Sequence, residues 1–323
     1  MHFPINRRAV LALSASTWLA PTAFAQGTPL RVILPIGPGS AVDTIARSVQ
    51  VALSKALNDQ PVVIENLPGA GGITGTTALV KAAPDGNTIA FLSNNHAVNP
   101  SVYKKLPYDS LNDITPISVV GGSPFVMLVN PNKIAAKNVK ELQALIKSKP
   151  GQFNYGSSGN GTIIHLAGEM FVDAIGGEVS HIPYKGMGPM LTDLMSGQVE
   201  MGVAAVAAVQ GYLKNGSLRA IGVMGKSRVA SLPDVPTIAE QGFPEVDAVG
   251  WFAVAGPAKL SAAHVKRIHD AVVAAFNDPA VKATMAKQEN FINPMSPQAS
   301  AQYLKSEQER FAKLVAKADV KLD

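Results

Sequence analysis

The fold of this chain is decided by residues 30–43, LRVILPIGPGSAVD. The first five residues are apolar or β-branched apart from one arginine, which is typical of a buried strand. The glycine- and proline-rich run at 35–42 predicts a loop. Asp43 then opens a helix whose apolar residues recur every fourth position, at Ile45, Val49, Leu53 and Leu57. Strand, loop and helix in this order predict an open α/β sheet with a ligand site at the carboxyl ends of its strands.

The glycine loop has two interpretations. Free amides at a helix start, together with the positive end of the helix dipole, favour a small anion. Alternatively, Gly37 and Gly39 only shape a turn and Asp43 only caps the helix. Val42 occupies the third glycine position of G-x-G-x-x-G, and the run does not match G-x-x-x-x-G-K-[ST] either. The spacing therefore argues against a dinucleotide or a nucleotide phosphate.

The N-terminus predicts export. Arg7 and Arg8 precede an apolar segment at 9–19, and Ala23-Phe24-Ala25 follows. This is the pattern of a signal peptide, and we expect cleavage after Ala25 and a periplasmic location. The apolar segment is too short to span a bilayer. The arginine pair fits both an ordinary signal peptide and a twin-arginine signal.

Composition excludes several classes of protein. Cysteine is absent, which excludes disulfides, thiolate metal sites and cysteine nucleophiles. The formal charge of +5 falls to +3 without Arg7 and Arg8, and no basic run suggests nucleic acid. No later segment is apolar for long enough to enter a membrane. We expect no metal and no cofactor, and we expect a monomer. The 323 residues, less 25 for the signal peptide, suffice for two domains.

Alternating strands and helices organise the chain. The predicted loops at 35–43, 68–75 and 93–99 all leave carboxyl ends of parallel strands, so we expect them to cluster. Residues 114–129 form an extended apolar run, and 250–255 form a second one. These runs predict two crossings between two α/β lobes, which is the architecture of a hinged clamp. The predicted divisions are 1–25 signal peptide, 26–122 first lobe, 123–249 second lobe and 250–323 return to the first lobe.

Short motifs along the whole mature chain carry a family resemblance. They are PIGPGS at 35–40 with Asp43 after it, ENLPGAGG at 65–72, AAPDG at 82–86, LPYD at 106–109, YGSSGNG at 155–161, HLAGE at 165–169, PYKG at 183–186, LRA at 218–220 and LPDVPT at 232–237. In these runs the chain resembles the exported solute-binding receptors of tripartite tricarboxylate transporters, also called Bug proteins.

The resemblance implies a type II periplasmic binding protein. Such a protein has two lobes, each a mainly parallel sheet flanked by helices, with two crossover strands at the hinge. It hands a carboxylate to the subunits of a membrane permease. Two jaws would hold the carboxylate, one formed by Gly37, Pro38, Gly39 and Ser40, and the other by Ser157, Ser158, Gly159, Asn160 and Thr162. Thr162 also caps the helix that follows it.

Two departures from the family pattern affect the predicted ligand. Ser40 stands where relatives usually have a second glycine. After Val203, many relatives place a polar residue, often aspartate, whereas this chain has Ala204 and Ala205. If Ala204 and Ala205 line the cleft, its distal end is apolar, and an ammonium group would be buried without a partner. We therefore expect one or two carboxylates on an apolar or aromatic body, rather than an amino acid.

Other polar residues have competing interpretations. Asp43 and Asn94 are candidate ligand contacts, and Asp43 is equally explained as a helix cap. His96 lies on a predicted site loop, where it would bind a carboxylate or hydrogen-bond the local backbone. His165 is expected to pack or cap, and Glu169 to make a buried contact between segments.

An enzyme is the main competing class of function. Residues 156–159, GSSG, resemble a nucleophile turn, but Asn160 occupies the second glycine position of G-x-S-x-G. No His–Asp set accompanies it, so we do not expect an enzyme. The alternatives are a ligand sensor that docks on a two-component sensor kinase and, less favoured, a secreted α/β hydrolase.

Overall fold

The computed structural model describes residues 28–38 and 40–317. The predicted signal peptide, its cleavage site and Gly39 lie outside the described residues.

Ten strands, ten α-helices and one short 3₁₀-helix at Ala70–Gly72 build the described chain. The strands are β1 (Leu30–Leu34), β2 (Val62–Asn66), β3 (Thr88–Ser93), β4 (Ile114–Val129), β5 (Phe153–Ser157), β6 (Val179–Pro183), β7 (Met201–Ala205), β8 (Arg219–Val223), β9 (Val249–Pro257) and β10 (Phe291–Ile292). The helices are α1 (Ala41–Ala56), α2 (Ile73–Val80), α3 (Asn94–Val102), α4 (Val139–Ser148), α5 (Ile163–Ile175), α6 (Met187–Ser196), α7 (Val206–Lys214), α8 (Ala262–Asn277), α9 (Pro279–Lys287) and α10 (Pro297–Lys317).

The strands form two mainly parallel units joined by two long strands. Their order is β2-β1-β3-β9-β4-β7-β5-β6, and β8 and β10 also pair with β4. Strands β1, β2 and β3 run parallel, as do β5, β6 and β7. β9 pairs antiparallel with β3 and β4, and β4 continues into antiparallel pairing with β7. The predicted α/β fold with two lobes and two crossover strands is confirmed. The predicted lobe boundaries fall inside β4 and β9 and stay a prediction.

Apolar layers cover both faces of each unit. In β1, Leu30, Val32 and Leu34 contribute to one buried layer and Ile33 to the layer on the other face. In the second unit, Val203 of β7 lies in one layer and Ala204 in the other. Burial on both faces explains why these strands are apolar throughout rather than alternating with polar residues.

One expected loop is a helix. The sequence predicts a loop at 93–99, and this is wrong, because α3 begins at Asn94 directly after β3. Ala97, Val98 and Val102 are buried in the layer that also contains α10. This burial outweighs the local polarity and Pro100, which lies inside the helix.

The last helix packs at the crossing strands. Trp251 of β9 is buried, and its indole nitrogen donates to Glu307 of α10 at 2.8 Å. Arg310 binds the same carboxylate at 2.8 and 2.9 Å and donates to the carbonyl of Asp247. Across 28–38 and 40–317, no helix combines the length and apolarity needed to cross a membrane.

Candidate functional site

The carboxyl edges of the two parallel units face each other across β4. At the first edge, Ser93 pairs with Phe252 of β9, and Phe252 pairs with Gly121 of β4. Four residues further along β4, Phe125 pairs with Ala205, the last residue of β7. Four residues of strand span about 13 Å. The loops that leave both edges therefore border one cleft.

The first loop leads into α1, and Ser40 caps that helix. The Oγ of Ser40 accepts the amide of Asp43 at 3.2 Å. The prediction that Asp43 opens and caps the helix is therefore wrong, because the helix begins two residues earlier, at Ala41. Pro38 is exposed, and a Cβ added at Gly37 would meet open space. Both features leave the loop surface open to the cleft.

Asp43 instead ties the first loop to its neighbours from the buried side. Its Oδ1 accepts from Nε of Arg47 at 3.0 Å and from the side-chain Nδ2 of Asn66 at 3.0 Å. Asn66 also donates to the carbonyl of Ile36 at 3.2 Å. The hydrogen bond and charge of Asp43 raise the pKa of Arg47, which keeps this ion pair charged. The carboxylate thus shapes the loop and is already partnered.

The three segments predicted to meet at the first edge do lie together, around a small cavity of about 20 Å³, but the third of them is the start of α3 rather than a loop. This volume holds about one water molecule. The cavity is lined by Pro35, Ile36, Val42, Gly71, Gly72, Thr76, Phe91, Leu92, Ser93, Asn95, His96 and Asn99.

His96 is a buried side chain of this cavity, on α3 rather than on a loop. Its Nε2 donates to the carbonyl of Ser110 at 2.7 Å, so Nδ1 is an acceptor. Nδ1 has no hydrogen-bond partner within the described residues. Burial lowers the pKa of His96 to about 4, although the Ser110 bond opposes the shift. A neutral acceptor here favours a donor such as a water or a hydroxyl group.

Asn94 is occupied by the crossing strand. Its Nδ2 donates to the carbonyl of Val249 at 3.1 Å, and its Oδ1 accepts the amide of Trp251 at 2.9 Å. These bonds fix the start of α3 to β9. The side chain therefore holds the hinge strand next to the cleft.

The second loop leads into α5, and Thr162 caps that helix as predicted. Its Oγ1 accepts the amide of His165 at 3.3 Å and donates to the carbonyl of Gly159 at 2.8 Å. Ser158 is half-buried, and its Oγ lies 3.3 Å from Oγ1 of Thr162, while Asn160 is exposed. Gly159 has a φ of 135°, which strongly favours glycine.

The Ser157 side chain lies beneath this loop rather than on its surface. It is fully buried, its Oγ accepts the amide of Gly159 at 3.1 Å, and it lies 2.7 Å from Nε2 of His181. The ring of His181 stacks on His165 with centroids 3.8 Å apart. Sequence reasoning missed His181. The parallel register pairs Tyr155 with His181, and only that register could have indicated the contact.

Glu169 closes the cluster beneath the loop and makes the expected contact between segments, but its side chain is half-buried rather than buried. Its Oε1 accepts the Tyr155 hydroxyl at 2.5 Å and lies 3.5 Å from Nε2 of His165. Burial opposes ionisation of Glu169, but the bonds from His165 and Tyr155 outweigh it and lower the pKa of the carboxyl. Burial and the Glu169 bond raise the pKa of Tyr155. Tyr155 therefore remains a donor and Glu169 a carboxylate.

Ala204 and Ala205 end β7 at the same edge. Ala204 is fully buried and Ala205 is half-buried. Ala205 precedes α7 directly, and the first turn of α7, like that of α3, has no side-chain cap among the described residues. The junction therefore combines methyl groups with free helix amides. Over the described chain, no three His, Asp or Glu side chains cluster as a metal site would require.

Comparison with known proteins identifies the family. Residues 45–320 match the model described as "Tripartite tricarboxylate transporter family receptor". Protein BugT of Bordetella pertussis is 34% identical over 296 residues, which cover 91% of this chain and 90% of BugT. The solved structure of R. palustris Rpa4515 with adipate is 28% identical, with a TM-score of 0.80, over 91% of this chain and 98% of that one. MatC of Rhodopseudomonas palustris with bound malate is 25% identical, with a TM-score of 0.76, over 89% and 98%. This chain therefore belongs to the receptor family of the tripartite tricarboxylate transporters and has the two-lobed fold of periplasmic binding proteins.

Proposed function

We propose that this chain captures a small mono- or dicarboxylate with an apolar or aromatic body in the cleft and delivers it to the membrane subunits of a tripartite tricarboxylate transporter. It would act as a monomer in the periplasm, after cleavage behind Ala25. One observation carries the proposal: two glycine-containing loops, each ending at a helix N-terminus, border the same cleft from opposite lobes.

The donors at these loops suit a carboxylate. Helices α1 and α5 direct their positive ends and first amides towards the loops at 37–40 and 158–162. Ser158, Asn160 and Thr162 add polar side chains, of which Asn160 is the most exposed. The first turns of α3 and α7 supply further amides at the two strand ends. We assign the binding role to this set, with Gly37, Pro38, Gly39 and Ser40 on the opposite jaw.

The ends of the cleft suit an apolar ligand body. Residues 204–208 are all alanine or valine, so they provide no charged group for an ammonium. The carboxylate of Asp43 is already bound by Arg47 and Asn66. The Rpa4515 structure contains adipate, a dicarboxylate with four methylenes between its acid groups. We therefore expect adipate-like acids to bind more tightly than aspartate or glutamate.

The test is a binding panel on protein refolded from denaturant, which removes any carried-over ligand. The panel contains adipate, malate, benzoate, aspartate, glutamate and the neutral diamide of adipate, measured by calorimetry and by Trp251 emission. Saturable binding of acids without binding of the diamide supports the carboxylate site. Equal binding of the diamide, or tighter binding of aspartate than of adipate, would contradict it. The ligand should be recovered intact, whereas an enzyme would consume it.

A matched pair of variants tests the second loop. Ser158→Ala removes a hydroxyl next to Thr162, and Ser180→Ala removes one from an exposed position of β6. Loss of a charge-assisted hydrogen bond costs about 1.5–3 kcal/mol. We expect Ser158→Ala to weaken adipate binding and Ser180→Ala to leave it unchanged. Equal affinities of the two variants would remove Ser158 from the site.

A further inference from the structure

A stacked pair of histidines lies beneath the second loop and has no role in the proposed ligand contacts. His165 comes from α5 and His181 from β6, and their rings are 9° from parallel with centroids 3.8 Å apart. Tyr155 of β5 stacks on His181 at 4.9 Å. The pair therefore connects two strands and a helix directly under residues 157–162.

Each histidine holds a different part of the loop. The amide of Gly161 donates to Nδ1 of His165 at 3.1 Å. An amide only donates, so Nδ1 carries a lone pair, and the proton of neutral His165 is on Nε2, facing Glu169. Nε2 of His181 lies 2.7 Å from Oγ of Ser157, which in turn accepts the amide of Gly159.

Both glycines held in this way have φ values in the left-handed region. φ is 135° at Gly159 and 69° at Gly161. Such residues lack the side-chain constraints that keep other residues in one conformation. Besides the bond from Thr162 to the carbonyl of Gly159, the loop therefore relies on the bonds from below for its shape, and that shape sets where its amides point.

We propose that His165 and His181 are positioning residues of the carboxylate site, that the neutral pair keeps the second loop in its binding shape, and that a proton on Nδ1 of His165 releases it. This inference rests on the proposed function. Protonated Nδ1 would place one N–H against the N–H of Gly161, so the amide would lose its acceptor. The loop would then lose its binding shape and the ligand would dissociate.

Ionisable groups of α5, β5 and α10 surround the pair. Glu169 of α5 faces His165 at 3.5 Å, and Tyr155 donates to the same carboxylate. Asp173 of α5 and Lys317 of α10 form an ion pair, so their charges offset each other. Both residues line a cavity that Glu169 also lines. Burial, followed by the charge of His165, lowers the pKa of His181 to about 4. A second proton on a ring 3.8 Å away is disfavoured by repulsion.

The test compares two substitutions of His165 across pH. His165→Asn places Oδ1 near the former position of Nδ1, so it retains an acceptor that does not titrate. His165→Leu removes the acceptor. His269→Asn, on α8, is the control for a histidine outside the cluster. The affinity for adipate is measured by calorimetry from pH 7.5 to 5.5. At each pH the affinity of a variant is divided by that of wild type, because protonation of adipate affects all the proteins equally and cancels in this ratio.

We expect the affinity of wild type and of His269→Asn to fall between pH 7.5 and 5.5 by about tenfold more than the affinity of His165→Asn. A tenfold change corresponds to the loss of one hydrogen bond. His165→Leu should bind weakly at every pH. Parallel pH profiles for wild type and His165→Asn, or wild-type affinity in His165→Leu, would overturn the inference.

A second measurement needs no ligand and separates this inference from the proposed function. The amide of Gly161 is followed by NMR on ¹⁵N-labelled protein during the same titration. We expect its shift to titrate in wild type and to stay constant in His165→Asn. If the Gly161 shift titrates in wild type and not in His165→Asn, while no acid in the panel binds, the proposed function fails and the control of the loop by His165 stands. If acids bind and the amide does not titrate, the proposed function stands and this inference fails.

Discussion

Replacing Gly168 with alanine tests the packing that supports the second loop. Gly168 lies inside α5, where alanine is ordinarily the better helix former by about 1 kcal/mol. A Cβ at this position would lie 2.8 Å from two ring carbons of Tyr155 and closer still to a third. Tyr155 is fully buried, and its hydroxyl is held by Glu169 at 2.5 Å. Burial and this hydrogen bond therefore both oppose movement of the ring away from an added Cβ.

The magnitude follows from two opposing effects. Overpacking a core costs about 1–3 kcal/mol, and a strained buried hydrogen bond adds about 1 kcal/mol. The helix-propensity gain offsets about 1 kcal/mol. We expect Gly168→Ala to lower the free energy of unfolding by about 1–3 kcal/mol. Gly211→Ala is the matched control, because Gly211 lies in α7 and an added Cβ would meet no atom within 4 Å. This control should gain about 0.5–1 kcal/mol.

Urea denaturation followed by circular dichroism measures both variants. Adipate affinity provides a second readout, because Tyr155 stacks on His181 beneath the loop. If Gly168→Ala is as stable as Gly211→Ala, the ring of Tyr155 is not fixed in the way the structure shows. The reasoning that links α5 packing to the loop would then be wrong.

Three further predictions concern single contacts. Thr162→Ala should lower the free energy of unfolding by about 1 kcal/mol through loss of the α5 cap, and Thr162→Ser should not, as measured in urea. Asn94→Ala should lower the free energy of unfolding by about 2–3 kcal/mol, because it leaves the carbonyl of Val249 and the amide of Trp251 without their partner. It should also shift the fluorescence emission of Trp251, and an unchanged emission would contradict the contact. His96 has a folded pKa of about 4, below its unfolded value of about 6.5, so the unfolded state binds more protons between these values and stability is lost as pH falls. The loss should reach roughly 3 kcal/mol between pH 7 and pH 4, and His96→Gln should show a correspondingly flatter stability profile.

Much of the fold follows from local sequence patterns. The strand at 30–34, the glycine turns and the two extended crossings are each determined by residues close in sequence. Right-handed crossovers then place successive loops at one sheet edge, which is why their clustering was predictable. The start of α1 was predicted wrongly at Asp43, because Asp43 and Ser40 are both residue types that cap helices well and lie only three residues apart. The structure shows Ser40 as the cap, and Asp43 is used for a contact to β2 that the sequence does not indicate.

The cluster beneath the second loop could not be predicted in this way. Ser157 and His181 are 24 residues apart, and their contact depends on the register between β5 and β6. A shift of one residue in that register would turn His181 to the opposite face. The sequence contains both residues within its family motifs or next to them, but motifs do not specify which side chains share a face. Buried polar clusters of this kind depend on tertiary contacts and are therefore the last features that a sequence reveals.

On the proposed function, ligand selectivity must come mainly from the strand–helix junctions rather than from the glycine loops. Loop amides bind any carboxylate in the same way, so they provide affinity with little discrimination. At β3–α3 and β7–α7 the helix follows the strand without a loop, which fixes the side chains on both sides of each junction. One junction places Nδ1 of His96, a buried neutral acceptor, beside the cavity of about 20 Å³, and the other places the half-buried Ala205 at the end of β7. The cavity holds about one water molecule, so a water suits His96, whereas the methyl group of Ala205 suits the apolar body of the ligand. A polar residue at position 205 would therefore remove the preference for an apolar body while leaving carboxylate recognition intact.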